Sequence, residues 1–249
     1  MNTPLQNTFG FDAVDTPERR RRIRVLFEAV APRYDLMNDA MSFGIHRLWK
    51  RAMVRRFPVD AGLIADLAGG TGDVARLLAR KRHRKVFVCD ASPGMMRQGQ
   101  NRQRITPVAN PVGWLAAEGE ALPLSDNSLA AITIAFGLRN MTDPDSALRE
   151  CVRCLEPGGF FLCLEFSTPQ AWLRPFYNFY SFHIIPRLGA WIAGEPEAYQ
   201  YLIESIRRFP AQEQVKSMLM EAGLEDVRYR NLSFGIACLH WGRKPEKTA

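Results

Sequence analysis

The sequence predicts an α/β protein with a mostly parallel, doubly wound sheet behind a helical N-terminal cap. Three observations carry that reading. Leu63 to Asp73 reads LIADLAGGTGD: a short apolar strand, an acid at its end and a glycine turn running into a helix. About twenty residues on, a second apolar strand from Lys85 to Cys89 ends in Asp90, where nucleotide-binding α/β folds place an acid that accepts hydrogen bonds from ribose hydroxyls. Strand and helix patterns then alternate through Ser167, as a parallel sheet requires.

The elements follow in order. Thr16-Pro17-Glu18 begins a helix with Ile23, Leu26, Phe27 and Val30 on one face, and Pro32 ends it. Tyr34 to Asn38 turns the chain into a second helical stretch that stops near Phe57-Pro58. These segments make a cap over residues 1–60, and residues 61–249 form the main domain. Within it, Ser125 to Ser128 is a turn before the buried strand Leu129 to Ala135. Glu156-Pro157-Gly158-Gly159 closes a helix and leads into the strand Phe160 to Glu165.

Pro169 to Gly194 breaks the rhythm. Trp172, Phe176, Tyr177, Phe179, Tyr180, Phe182 and Trp191 crowd it, and Pro175 and Pro186 forbid one long helix. It reads as short helices over the strand ends, in an aromatic lid of residues 169–209 that serves core packing or an apolar mouth for a greasy substrate. Pro210 to Glu221 is an amphipathic helix capped by Gly223. Val227 to Leu232 and Ile236 to Arg243 close the chain as an antiparallel hairpin turning at Gly235.

A chain of 249 residues buries one full core and has length left for a helical extension. Hydrophobic and charged fractions of 47% and 24% are those of a soluble globular protein and exclude a disordered chain. No run of about 18 apolar residues spans a bilayer, and the N-terminus lacks the apolar core of a secretory signal, so a cytoplasmic protein is expected. Cys89, Cys151, Cys154, Cys163 and Cys238 lie in apolar surroundings. The one C-x-x-C falls inside a helical pattern, with no second pair, so buried reduced thiols and no metal are expected.

The formal charge is +7. Its basic clusters, Arg19 to Arg24, Arg47 to Arg56 and Arg76 to Arg84, read as solvated helix faces or as attraction to the anionic inner surface of a membrane, worth about 1 kcal/mol per Lys or Arg. No basic motif interleaved with aromatics appears, so nucleic acid is not expected as a partner.

The glycine turn favours S-adenosylmethionine over a dinucleotide. Asp66 precedes the glycines, where it suits a cationic amino-acid end, whereas the dinucleotide fingerprint opens on glycines and sets pyrophosphate on a helix N-terminus. Gly70 and Gly72 let backbone approach the ligand. Because ligands sit beyond the carboxyl ends of such strands, Asp66 to Gly72, Asp90, Glu118-Gly119, Ala135 to Asn140 and Glu165 should ring one crevice.

The Leu-Glu-Pro-Gly-Gly stop before an apolar strand resembles the class I S-adenosylmethionine-dependent methyltransferases, a Rossmann-like fold with a mostly parallel seven-stranded sheet. Four blocks narrow the likeness: YDLMNDAMSFGIHRLW from Tyr34, DLAGGTGD from Asp66, IAFGLRNMTD from Ile134 and LEFS from Leu164. With SFHIIPRLG from Ser181 and NLSFGIACLHWG from Asn231, they resemble the ubiquinone/menaquinone biosynthesis C-methyltransferases from about Phe9 to Lys244.

That resemblance implies methylation of a ring carbon of a polyprenylated benzoquinol or naphthoquinol. By motif, Thr71 in the glycine loop, Asp90 at the ribose, Glu118 and Gly119 beside the adenine and Ala135 after the fourth strand join Asp66, Gly70 and Gly72 as cofactor residues. Glu118 stands where the family often has Asn or Asp, and Ala135 where Ser is frequent; both keep the backbone contact. Arg139, Asn140 and Tyr34 are the catalytic candidates. A quinol hydroxyl has a pKa of about 10, and a fixed cation beside it favours the phenolate that makes the ortho carbon nucleophilic. Arg139 stays protonated, so its task is electrostatic, unless it is a structural partner of Glu165 or Asp143. Asn140 would hold the hydroxyl or a water, and Tyr34 would close the ring pocket or pass a proton. His183 is read as a general base or a core residue. Rival readings are an RNA or small-phenol methyltransferase, and a non-catalytic cofactor-binding scaffold. A homodimer or a quinone-synthesis complex stays open.

Overall fold

In the computed structural model, which describes residues 7–58, 62–81, 83–184, 187 and 196–246, a single seven-stranded sheet carries the core. A small hairpin, β1 (Thr8–Phe9) with β2 (Asp12–Ala13), precedes three helices: α1 (Thr16–Val30), α2 (Tyr34–Ser42) and α3 (Ile45–Arg56). The sheet begins at β3 (Gly62–Leu67), followed by α4 (Asp73–Leu78), β4 (Arg84–Asp90), α5 (Pro93–Ile105), β5 (Gly113–Ala116) and β6 (Leu129–Ala135). Then come α6 (Pro144–Cys154), β7 (Leu155–Phe166), α7 (Arg174–Phe179), α8 (Pro196–Arg208), α9 (Gln212–Glu221), β8 (Glu225–Leu232) and β9 (Ala237–Arg243).

Strand order is β5-β4-β3-β6-β7-β9-β8, parallel from β5 to β7, with β9 antiparallel to both neighbours. The order reverses between β3 and β6, which is where a doubly wound sheet leaves a crevice at its carboxyl edge. β6 (LAAITIA) is buried at every residue but its last, the pattern of a strand covered on both faces. Ile132, Ile134, Phe161 and Cys163 point to the layer holding Leu148 and Cys151 of α6 and Leu219 of α9. Their neighbours Ala131, Phe160, Leu162 and Leu164 point to Trp49 and Met53 of α3 and Val74 and Leu78 of α4. All five cysteines are buried and free. A third apolar cluster, Val30, Met37, Ala198, Tyr199 and Ile203, binds α1 and α2 to α8.

The helical N-terminus differs from expectation in detail. Pro32 does not end the helix outright: a 3-10 turn, Ala31–Arg33, carries the chain into α2, because proline is tolerated in a first turn. Tyr34 to Asn38 is itself helical, and the break falls at Phe43 (φ 48°) and Gly44 (φ 73°). Glu156 to Gly159 lies within β7 as an irregularity: pairing with β6 lapses between Leu129↔Leu155 and Ala131↔Phe160. The hairpin β1–β2, strand β5 and helix α8 went unread. In the aromatic segment α7 passes into a π-helix, Tyr180–Ile184. The expectations at Pro186 and Trp191, and the boundary between residues 60 and 61, lie outside the described residues.

Candidate active site

Two cavities open at the carboxyl edge of the sheet. The first, about 120 Å³, lies over β3, β4 and β6 and is lined by Asp66, Gly70, Thr71, Asp90, Glu118, Gly119 and Ala135, all expected there, with Tyr34 and Asn140. Gly72 does not line it. At φ 77° it caps the start of α4, and a Cβ there would come within 2.8 Å of the Trp114 ring, so packing by itself requires a glycine here. Gly70, at φ 55°, donates its N–H to Asp90 Oδ2 at 2.8 Å.

The two strand-end acids have different tasks. Asp66 is buried, with Oδ1 accepting from Thr133 Oγ1 at 2.8 Å and Oδ2 from the Ala75 N–H at 3.0 Å. Those bonds tie the end of β3 to β6 and to α4, so Asp66 shapes the cavity with both oxygens engaged inside the fold. Burial pushes its pKa up to about 7. Asp90 accepts one backbone N–H on each oxygen, from Ser92 and from Gly70, both at 2.8 Å. Each oxygen therefore keeps a lone pair for a ligand hydroxyl. Desolvation raises the Asp90 pKa to about 6.

The N-terminal helices roof this cavity through polar ties that the sequence did not disclose. Glu28 of α1 accepts from Ser92 Oγ at 2.8 Å and from the Gly94 N–H at 2.9 Å, capping α5, and these bonds lower its pKa. Arg24 pairs with Glu118 at 2.6 Å. Asp35 of α2 accepts from Thr71 Oγ1 at 3.1 Å and pairs with Arg102, which also holds Asp73 at 2.7 Å. Lys50, buried and 3.1 Å from Asp73, lines both cavities. Three members of the basic clusters, Arg19, Lys50 and Arg84, are buried and are not part of any solvated face.

The second cavity is larger, about 320 Å³, and mostly apolar. Side chains of α1, α2, α3, α7 and α8 enclose it, and Phe27, Tyr34, Lys50 and Phe136 form the wall that it shares with the first. Phe136, at φ 61°, packs on Phe166 (4.7 Å between ring centroids) and on Trp49 (6.1 Å).

Arg139 lines this second cavity and not the first. Its Nη1 donates to Phe136 O at 2.6 Å and to Glu165 Oε1 at 2.7 Å, and its backbone N–H donates to Glu165 Oε2. Glu165 is fully buried; desolvation raises its pKa while the Arg139 charge opposes that rise. The alternative partner, Asp143, instead caps α6. Arg139 Nε is buried without an acceptor among the described residues. Asn140 donates to Phe136 O at 3.3 Å and accepts from Tyr201 of α8 at 3.1 Å.

The histidines separate clearly. His183 is not a core residue: it is exposed on the π-helix against Phe179 and lines neither of the two cavities. His46 does line the second cavity. Ser42 Oγ lies 2.7 Å from His46 Nδ1 and gives its own hydrogen to Asn38 O, so Nδ1 must be the donor. Burial and the Lys50 charge lower the His46 pKa to about 4, leaving the ring neutral.

These residues fit S-adenosylmethionine. Asp90 presents free lone pairs where ribose hydroxyls would donate, the Gly70 turn bares backbone, and Lys50 offers a cation to an amino-acid carboxylate. Fold and site together define a class I S-adenosylmethionine-dependent methyltransferase. The chain belongs to the ubiE/COQ5 methyltransferase family, whose family model matches residues 15–244. It is 58% identical to the ubiquinone/menaquinone biosynthesis C-methyltransferase UbiE of Rubrivivax gelatinosus over 97% of this chain and 94% of that one. To the protein of the same name from Roseobacter denitrificans it is 45% identical, over 95% and 96%. A solved S-adenosylmethionine-dependent methyltransferase from Thermotoga maritima shares the fold, with a TM-score of 0.65 at 20% identity over 89% of this chain and 99% of that one.

Proposed function

We propose that the chain methylates a ring carbon of a prenylated quinol, in ubiquinone synthesis, menaquinone synthesis or both, as the names of its relatives indicate. One observation carries this reading: a large apolar cavity adjoins the cofactor cavity across Tyr34 and Phe136. An aromatic ring held there meets the donor side, while its apolar tail stays among Met37, Met41 and Leu202.

When bound, S-adenosylmethionine supplies an electrophilic methyl group whose sulfur leaves uncharged. Asp66 anchors α4 behind the glycine loop, Asp90 steadies that loop through the Gly70 N–H and holds the ribose, and Thr71, Glu118, Gly119 and Ala135 line the rest. Positioning comes from the walls, since a ring fixed near the donor gains more from orientation than from any single proton transfer.

The ring hydroxyl must lose a proton before attack, and the hydrogen displaced from the methylated carbon returns to that oxygen, so one proton leaves per turnover. Arg139 would stabilise the phenolate. Its unpartnered Nε–H is a buried donor that a substrate oxygen satisfies, and leaving it unmet costs about 1–3 kcal/mol. Asn140, its amide oriented by Tyr201, supports the same oxygen or a water. The Tyr34 hydroxyl has no hydrogen-bond partner among the described residues and stands on the shared wall, where it can pass the proton.

This reading divides the chain into a cap of residues 1–60 and a catalytic domain of 61–249 with a lid at 169–209. It also brings the protein to the inner face of a membrane, where a prenyl tail resides; no helix among the described residues is long and apolar enough to cross one. Purified protein given donor with a labelled methyl and a demethylated quinol should put label on ring carbon. Label on oxygen alone, or no turnover of either quinol class, rejects the proposal.

A further inference from the structure

The mouth of the second cavity is built from side chains that a water-facing surface does not need. Phe43 and Phe176 both line the cavity, yet are 74% and 70% exposed, so they stand on its rim. Phe43 packs against Tyr180 with ring centroids 5.9 Å apart, which joins the α2–α3 turn to the π-helix. Outward from Phe176 along the same segment, Phe179 and Phe182 are also exposed. Beside Ser233, another cavity residue, Trp172 and Phe234 stack edge to face at 5.2 Å, both open to solvent.

Charge around this face is mostly of one sign: Asp39 at the end of α2 is paired with Arg47, and beyond it acids are absent from the segments that build the face. From Ala40 to Phe57, and again from Phe166 to Gly194, the sequence contains no Asp or Glu. On α3 the exposed residues Leu48, Arg51 and Arg55 recur at helical spacing on one side, continuing outward from Phe43. Neither Arg51 nor Arg55 has an acidic partner among the described residues. Arg174 and Arg187 are exposed on the aromatic segment, and the Arg207 guanidinium lies 5.1 Å from the centre of the Phe182 ring.

Exposed aromatics interleaved with arginines that have no acidic partner among the described residues suit the headgroup region of an anionic bilayer. Aromatic rings settle at that depth, and arginines remain with the lipid phosphates. We propose that the face formed by the α2–α3 turn, α7 and the π-helix docks on an anionic lipid surface, so that a prenylated ring passes from the bilayer into the second cavity without crossing water. The proposal rests on the reading of that cavity as a prenylquinol site, and it names the surface through which the substrate arrives. A second copy of this chain is the competing occupant. It would meet the same arginines across the interface, with like charges facing each other.

The test uses the full chain with vesicles of phosphatidylcholine, alone or mixed with phosphatidylglycerol. Cosedimentation should need phosphatidylglycerol and fall as salt is raised. A triple variant, Trp172→Ser with Phe179→Ser and Phe182→Ser, changes rings that do not line the cavity. It should lose about tenfold or more of vesicle binding while turnover of a short-tailed quinol in solution is kept. In the unaltered chain, anionic vesicles should slow amide hydrogen exchange at residues 43–48 and 172–184, a reading that does not depend on the variant folding.

The docking face is rejected by equal vesicle binding of variant and parent, or by an exchange pattern unchanged by lipid. It is also rejected if the same segments become protected on raising protein concentration without lipid, which would assign the face to self-association. Vesicle binding without turnover of any quinol supports the docking face and counts against the substrate reading alone.

Discussion

Arg19, on the first helix, holds the main chain of Arg139 across 120 residues: its Nη2 donates to Arg139 O at 3.0 Å and to Met141 O at 2.9 Å. Nη1 reaches Thr8 O, and the whole guanidinium is buried. Arg19→Met removes all three donors and should lower stability by about 3 kcal/mol. At roughly 2–4 °C per kcal/mol, the thermal midpoint should fall accordingly, with turnover reduced more than cofactor affinity. A variant that melts with the parent would show that the carbonyls find other donors.

Arg139→Ala should cut turnover by about a hundredfold or more and leave donor affinity, measured by calorimetry, within a few-fold of the parent. It also strands Glu165 as an unpaired buried charge, which costs about 3–5 kcal/mol. Adding Glu165→Gln should restore much of that stability without restoring turnover. If the double variant regained activity, Arg139 would be structural only.

Asp90 should make donor binding sensitive to pH. Its carboxyl is raised to about 6 in the free protein, and ribose hydroxyls bond best to the ionised form, so binding lowers that pKa. Below about pH 6 a proton must therefore leave on binding, and affinity should weaken as pH falls through this range. Calorimetry at pH 5.5 in two buffers of different ionisation enthalpy would reveal the released proton. Asp90→Asn should bind more weakly and show no such slope.

His46 and His240, both lowered to about 4 with burial as the main cause, should resist protonation until far into acid. A histidine depressed on folding stabilises the protein above its unfolded pKa, and that contribution is lost between about pH 6.5 and 4 as the unfolded state takes up protons. Asp66 and Asp90, raised on folding, act oppositely over part of that window, because there the folded state binds the proton more tightly. Bulk stability would blur the two effects. Nitrogen chemical shifts would not: His46 should carry its proton on Nδ1 and His240 on Nε2, toward Gln212 O at 2.9 Å. Titration of either ring near pH 6.5 would contradict the buried geometry.

The sheet was legible wherever its signal is local. An apolar run, a strand-end acid and a glycine turn fit within a dozen residues, so β3, β4 and β6 and the cofactor wall followed from the sequence. Gly72 shows the limit of that signal. The pattern says that a Cβ is excluded, but only the fold says that Trp114 excludes it. Long-range electrostatics were not legible. Arg19 and Lys50 sit at helical spacing among other cations, which reads as a wet face until the partners of each fold against it. Likewise α8 was masked by the aromatic run before it, although its Tyr201 reaches Asn140.

Phe27 and Tyr34 each belong to two chambers at once, and Glu28 and Asp35, their neighbours in the chain, latch the same helices onto the nucleoside loops. Any displacement of α1 or α2 is therefore felt in both chambers, because the same two side chains wall each of them. Breaking either tie, Glu28 to Gly94 or Asp35 to Thr71, frees a helix that bounds the two spaces together.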